Sequence, residues 1–375
     1  MKVFIQSIFA QLLFTPYIWY RGYQALPPKR SVRIPFSLLC LIEVAVYLTG
    51  LIFRKELPDA IMTGIQMICN TWYIASIYIV MILLVLEVIR KSNALWKWYP
   101  KWVVRHYGRV KLSLFFLILA GVGVLMVHAY YTVAYPVVKN VYINIPKSGG
   151  VRDSLKIAMM SDLHIGEVIN RKYVERYVEL CNAQHPDLVV LVGDLIDYEV
   201  RFAEKERVEE VLRQLKAPLG VYAVNGNHEY RANIHAKEKW LRTTGAILLK
   251  DSVIMPDSSF YVVGRDDRTN KNRQPLQSLM NGIDPGKPII ILDHQPQSFA
   301  EIVMNKGDLG LHGHTHQGQI WPYSLVVGQV FECAYGTYKK GDAQFYVSSG
   351  IGIAGPPYRV GTASELVILH ITFEP

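Results

Sequence analysis

Residues 34–53, 61–86 and 112–135 are each apolar over about the 20 residues that a bilayer-spanning helix needs, and no other feature limits the possible folds of this chain so strongly. The first stretch holds one charge, Glu43, and the other two hold none. Inside lipid every backbone N–H and C=O must be satisfied internally, so apolar runs of this length read as helices. Residues 3–20 form a weaker run, interrupted by Gln6, Gln11 and Pro16, with no small-residue cleavage site after it. The expectation for residues 1–136 is an all-α transmembrane bundle of about four helices. Glu43 is expected to face the bundle and hydrogen-bond a neighbour, and Trp72, Trp96, Trp98 and Trp102 read as interface aromatics.

The net charge of +9 has a topological explanation. Residues 90–111 carry Arg90, Lys91, Lys97, Lys101, Arg105, Arg109 and Lys111 with no acid, and residues 21–33 carry Arg21, Lys29, Arg30 and Arg33. Residues 54–60 carry Arg54 and Lys55 against Glu56 and Asp59. Lys and Arg gather on cytoplasmic loops, so eleven bases against two put the first and third loops inside. The chain after the last span is then expected outside the cytoplasm. A basic excess confined to such loops gives no reason to expect a nucleic-acid partner.

After residue 136 the composition changes. Residues 137–153 are read as a linker with a turn at Lys147-Ser148-Gly149-Gly150. Over residues 154–375 short apolar runs alternate with amphipathic stretches. Strands are expected at 155–161, 187–192, 220–224, 260–264, 288–292, 309–311, 345–348 and 365–371, and helices at 172–184 and 204–215. Such alternation implies βαβ units in a layered α/β domain. The four cysteines include no C-x-x-C, which argues against a thiolate zinc site; a Cys181–Cys333 disulfide stays open.

Five expected strands end in polar clusters. They are Asp162-Leu163-His164, Gly193-Asp194, Asn225-Gly226-Asn227-His228-Glu229, Asp293-His294 and His312-Gly313-His314-Thr315-His316. Ligands of open α/β sheets gather outside the carboxyl ends of strands, so these clusters are expected to converge. Imidazole and carboxylate donors without thiolates suit Mn²⁺, Fe²⁺ or Zn²⁺. Asp162, His164, Asp194, Asn227, His294, His314 and His316 are too many for one tetrahedral ion and suit a pair.

The ordered set D-x-H, G-D, G-N-H-[DE], a lone His and G-H-x-H resembles the calcineurin-like metallophosphoesterases, over about residues 154–373. It looks closest to their bacterial membrane-associated branch, whose G-H-T-H-G-G-Q stretch is similar to Gly313-His314-Thr315-His316-Gln317-Gly318-Gln319. Gln317 departs from the usual Gly, and His312 is an extra histidine read as structural. The resemblance implies a layered β-sandwich flanked by helices. It further implies that Asp162, His164 and His316 hold one divalent metal and Asn227, His294 and His314 a second. Asp194 would bridge the two and His228 would face the scissile phosphate as a catalytic group. Arg359 and Tyr230 are candidate substrate contacts, and residues 265–268 a turn in the wall of the site.

The function so implied is that of a phosphoesterase, a hydrolase using a metal-bridging hydroxide on a phosphodiester or pyrophosphate. Its partners are expected to be a membrane and a phosphate-ester substrate, in first place a lipid-linked one. Its location would be a bacterial inner (cytoplasmic) membrane with the catalytic domain extracytoplasmic. The alternatives are hydrolysis of soluble phosphodiesters, a pyrophosphatase like that acting on UDP-diacylglucosamine, and a non-catalytic membrane sensor. The pyrophosphatase substrate is cytoplasmic, against the charge count, and no ligand position is missing as a sensor would allow.

Overall fold

The computed structural model describes residues 7, 8, 10–53 and 56–374, in two units, Met1–Tyr130 and Tyr131–Pro375. Ala10–Phe14 makes a π-helical turn leading into the helix Thr15–Ala25. Residues 3–6 and 9 of the expected first span, and Arg54 and Lys55 of the second loop, lie outside the described residues. Among the described residues three helices are long and apolar enough to cross a membrane: Arg30–Ile52, Asp59–Trp96 and Tyr107–Ala134. Leu39, Leu41, Leu117 and Val124 are exposed on them, the reverse of a water-soluble helix. Gln11 Nε2 donates to Glu43 Oε1 at 2.6 Å and Trp72 Nε1 to Thr15 Oγ1 at 2.8 Å. Glu43 thus has the neighbouring partner expected of it. At one end of the bundle Arg21 meets Glu87 at 3.0 Å, and Lys111 Nζ donates to Gln24 O at 3.0 Å.

Among its described residues the second unit contains twelve strands: β1 (Val137–Ile145), β2 (Ser154–Met160), β3 (Leu188–Val192), β4 (Val221–Val224), β5 (Ile247–Leu248), β6 (Ser252–Ile254), β7 (Tyr261–Gly264), β8 (Ile289–Leu292), β9 (Leu309–His312), β10 (Gly336–Lys340), β11 (Ala343–Val347) and β12 (Glu365–Phe373). They form two six-stranded sheets, ordered β1-β12-β2-β3-β4-β5 and β10-β11-β9-β8-β7-β6. Strands β2, β3 and β4 run parallel, as do β7, β8 and β9.

Side chains alternate across each strand, and both faces are apolar because both are covered. Leu155, Ile157 and Met159 enter the core between the sheets, with Leu188, Val190 and Val192 beside them and Ile290, Leu292, Leu309 and Leu311 opposite. Ala158, Met160, Val189 and Leu191 face outward, onto Tyr173, Val174, Tyr177 and Val178 of the helix Arg171–Asn182. Phe299 and Ile302 cover the second sheet. The result is the expected layered α/β sandwich.

Three expectations need correction. The segment read as a linker is largely β1, parallel to β12 from Val137↔Glu365 to Ile145↔Phe373. Its buried Val141, Ile143 and Ile145 alternate with exposed Tyr142 and Asn144 at the period of a strand. The single helix expected at 204–215 is two short ones, Arg201–Lys205 and Val208–Leu212, broken where Arg207 takes φ 53°. All four cysteines are buried and free, so Cys181 and Cys333 are not joined.

Candidate metal centre

The carboxyl ends of β2, β3 and β4 in one sheet and of β8 and β9 in the other deliver the polar clusters to one place. The Asp162 carboxylate accepts the amide of His314 at 3.0 Å, linking the β2 and β9 ends. Asp194 Oδ1 accepts the amide of His228 at 2.7 Å, linking β3 and β4. His294 Nδ1 lies 2.8 Å from Val192 O, linking β8 and β3. The approach is close enough to require glycine. A Cβ on Gly226 would fall 2.2 Å from Asp194 Oδ1, and one on Gly313 2.3 Å from Asp162 Oδ2. Asp162, His164, Asp194, His314 and His316 all have φ between 50° and 73°, a left-handed region costly for residues with a Cβ.

Asp162, His164 and His316 form one group whose ligand atoms lie within 4.8 Å of one another, and Asp194, His294 and His314 form another. A third group, His164, Asp194 and His228, overlaps both. Asp194 Oδ2 is 3.2 Å from His294 Nε2 and 3.7 Å from His164 Nε2. His164 Nε2 and His316 Nε2 are 3.0 Å apart, and the His316 atom is 3.4 Å from Asp162 Oδ1. Asn227 Oδ1 and His294 Nε2 are buried without a well-aligned hydrogen bond.

Burial and neighbouring charges act against each other on the ionisable groups of the pocket. Burial opposes ionisation of Asp194, yet His294, His228 and His164 hold its carboxyl well below the usual range. Burial would likewise lower His294 and His164, but Asp194 beside the first and Asp197 beside the second raise both above an ordinary imidazole. Burial, then His294, brings His314 down to about 4, and burial, then His164, holds His316 well below its ordinary value. Within one pocket, then, a carboxyl and two imidazoles are biased toward their charged forms and two further imidazoles toward their neutral form. Imidazole and carboxylate are donor types that a divalent metal takes, each in its deprotonated form.

Two further carboxylates, not singled out from the sequence, hold this arrangement. Asp197 N donates to Ile165 O at 3.1 Å, which turns the chain after β3 back along the β2 loop. Its Oδ1 then lies 2.8 Å from His228 Nδ1 and 3.4 Å from His164 Nδ1. It orients the His228 ring and lies beside the His164 ring, whose Nδ1 makes no well-aligned hydrogen bond. Partial desolvation opposes its ionisation, yet the two imidazoles lower its pKa strongly. The signal available was its position, three residues after Asp194 in the same turn. Glu229, buried, accepts backbone amides of Asp194, Leu195, Ile196 and Gly226 at 2.7–3.0 Å, clamping the β3 and β4 loops together.

The two expected substrate contacts are committed elsewhere. Arg359 is buried, its guanidinium donating to the carbonyls of Ser349, Gly350, Gly352 and His316. It holds the glycine-rich loop 349–352 instead of facing solvent. The Tyr230 hydroxyl donates to Asp266 Oδ2, which also accepts Asn270 Nδ2 at 2.8 Å. His312 is buried against Phe299 and Phe345, with Nδ1 2.6 Å from Asp293 O, apart from the donor groups. Arg265 binds Asp293 and Glu301, and Asp267 accepts Gln295 Nε2 at 3.0 Å, so residues 265–268 brace the His294 loop from behind. Gln317 takes φ 52°, which explains why glycine suits that position.

A family model described as calcineurin-like phosphoesterase matches residues 155–318. The chain is 32% identical over 275 residues to an uncharacterized metallophosphoesterase of Campylobacter jejuni, covering 71% of each protein. It is 32% identical over 251 residues to one of Helicobacter pylori, covering 64% of this chain and 65% of that one. Over 247 residues it is 30% identical to a transmembrane protein with metallophosphoesterase domain of Danio rerio, covering 62% of this chain and 56% of that one. The alignments therefore leave about a third or more of the last two relatives unmatched, and the likeness extends beyond bacteria.

Proposed function

The chain belongs to the calcineurin-like metallophosphoesterases, a family of phosphoesterase hydrolases, and we propose that it uses two divalent cations to hydrolyse a phosphodiester or pyrophosphate bond in a membrane-associated or lipid-linked substrate. The observation that carries this reading is the pair of donor groups sharing one buried pocket, with Asp194 Oδ2 between imidazoles of both. In it Asp162, His164 and His316 would hold one cation and Asn227, His294 and His314 the other, with Asp194 available to both. Donors of this type suit Mn²⁺, Fe²⁺ or Zn²⁺. Such a pair, when bound, supplies Lewis acidity to the phosphoryl oxygens and a nucleophilic water at neutral pH.

The remaining chemistry belongs to the chain's own residues. Asp197 holds Nδ1–H of His228, leaving Nε2 to donate a proton to the departing oxygen, a contribution of about 10²–10⁴-fold. Glu229 and Arg359 keep the loops that carry Asp194 and His316 in place.

The three apolar helices and the relatives named as transmembrane proteins support membrane association. The basic residues of segments 21–33 and 90–111 support an extracytoplasmic C-terminal unit on a bacterial inner membrane. Their meeting at one end of the bundle, through Arg21, Glu87, Gln24 and Lys111, agrees with that.

The test is metal content and Mn²⁺-dependent hydrolysis of bis(p-nitrophenyl) phosphate by the full chain. About two ions per chain are expected, and loss of activity in Asp194→Asn. Full activity in that variant would sink the metal assignment. His228→Ala is expected to keep the metal and lose rate, most of all with poor leaving groups.

A further inference from the structure

We propose that the helix Tyr323–Val330 seats the mouth of this site on a lipid surface, so that the phosphate ester is drawn from the membrane and not from solution. The inference rests on the phosphoesterase reading and adds the phase in which the substrate lies.

The helix follows directly on the donor motif and lies just beyond the family match. From Gln319 to Phe331 the sequence has no charged residue. Its apolar side chains face outward: Trp321 is 41% exposed, Tyr323 60%, Leu325 62%, Val326 53% and Val330 70%. Tyr323, Val326 and Val330 recur at helical spacing along one side, and Leu325 is exposed further round the helix, past Gln329. Val327 is turned into the protein. Past the stacked Tyr131 and Tyr135 at the start of the unit, exposed large apolar side chains such as Tyr198, Ile247 and Met304 stand singly. Scattered singles are ordinary on a protein surface, whereas a contiguous uncharged face marks a surface that is meant to be covered.

The chemistry of the face indicates what covers it. It presents no charge for a polar partner to pair with. It carries a Trp and a Tyr at its start, the side chains that settle at head-group level, followed by aliphatic groups suited to the acyl boundary. The same chain holds three helices of bilayer-spanning length, so lipid is the apolar phase always available to it.

The face is also mechanically part of the site. A Cβ on Gly318 would fall 2.4 Å from Ser324 Cα, so the helix backbone rests directly on the turn His316–Gly318. At its other end the Phe331 ring is 5.9 Å from the His314 ring, and Thr315 Oγ1 donates to Ala334 O at 2.6 Å. An element held at both ends by the residues beside the donors fixes the height of the pocket above whatever the helix rests on.

The test uses the full chain in lipid nanodiscs, with an environment-sensitive fluorophore on Leu325→Cys or, as control, on Ile247→Cys; the four native cysteines are buried. Emission from position 325 is expected to shift to the blue and to be quenched by nitroxide-bearing lipids several-fold more than emission from position 247. Leu325→Glu combined with Val326→Glu is expected to slow hydrolysis of a diacylglycerol p-nitrophenyl phosphodiester in the disc by about tenfold or more, leaving soluble bis(p-nitrophenyl) phosphate hydrolysis unchanged. Equal quenching at both positions overturns the proposal, as does an equal loss on both substrates. A blue shift without lipid quenching, in a particle holding two chains, overturns it in favour of a second copy. If the unsubstituted chain cleaves neither ester while position 325 is quenched, the phosphoesterase reading fails and the lipid contact stands.

Discussion

Replacing Glu229 by Gln isolates the clamp between the β3 and β4 loops. Oε2 accepts the amides of Asp194 at 2.9 Å and Gly226 at 2.7 Å, and Oε1 accepts those of Leu195 at 2.9 Å and Ile196 at 3.0 Å. Gln has nearly the same shape, but one of its two terminal atoms is an NH₂ donor. Whichever way the amide turns, two backbone N–H groups face a donor and lose their acceptor. At about 1–3 kcal/mol for each buried donor left unsatisfied, the loss is roughly 2–6 kcal/mol. Burial and then the charge of Asp194 raise the Glu229 carboxyl, so neutralising it relieves some repulsion. The lower part of the range, about 2–4 kcal/mol, is therefore expected, equivalent to a fall in Tm of roughly 5–15 °C. Scanning fluorimetry reads the Tm, and hydrogen exchange with mass spectrometry reads the amides of residues 194–196 and 226 directly. A Tm within about 2 °C of the original, with protection of those amides unchanged, would refute the clamp.

Other substitutions separate positioning from contact. Asp197→Asn keeps a partner for His228 Nδ1 but removes its charge, so kcat is expected to fall about 10–100-fold with bound metal retained; unchanged kcat would remove Asp197 from the mechanism. Arg359→Lys cannot serve several carbonyls around one loop and is expected to cost about 2–4 kcal/mol of stability with little change in KM. A tenfold rise in KM at unchanged stability would restore Arg359 as a substrate contact. Gln317→Gly relieves a left-handed residue and is expected to raise stability by about 0.5–1 kcal/mol, read as a small rise in Tm.

The residues that meet in the pocket were legible because each stands at the end of an apolar run, and the carboxyl ends of parallel strands collect ligands. Glu229 was visible as part of a motif, but its role was not, because its partners Asp194, Leu195 and Ile196 lie more than thirty residues away. Arg359 read as a substrate contact because nothing in Pro356-Pro357-Tyr358-Arg359 reveals the ring of carbonyls waiting for it. β1 was passed over behind a proline and ahead of a glycine turn, although Val141, Ile143 and Ile145 alternate as a strand should.

By itself the sequence determined the quantities that local chemistry sets. These are apolar runs long enough for a bilayer, the alternation of strand and helix, and the kinds of donor at five strand ends. Tertiary structure decided everything that depends on what lies opposite. Asp194 stands between two groups of imidazoles because the two sheets bring their carboxyl ends together. Asp197 aims His228 because the β3 loop folds back on the β2 loop. Arg359 turns inward and the helix Tyr323–Val330 turns its apolar face outward. A residue's type carries its chemistry along the chain, but its direction and its partners arise only when distant segments pack.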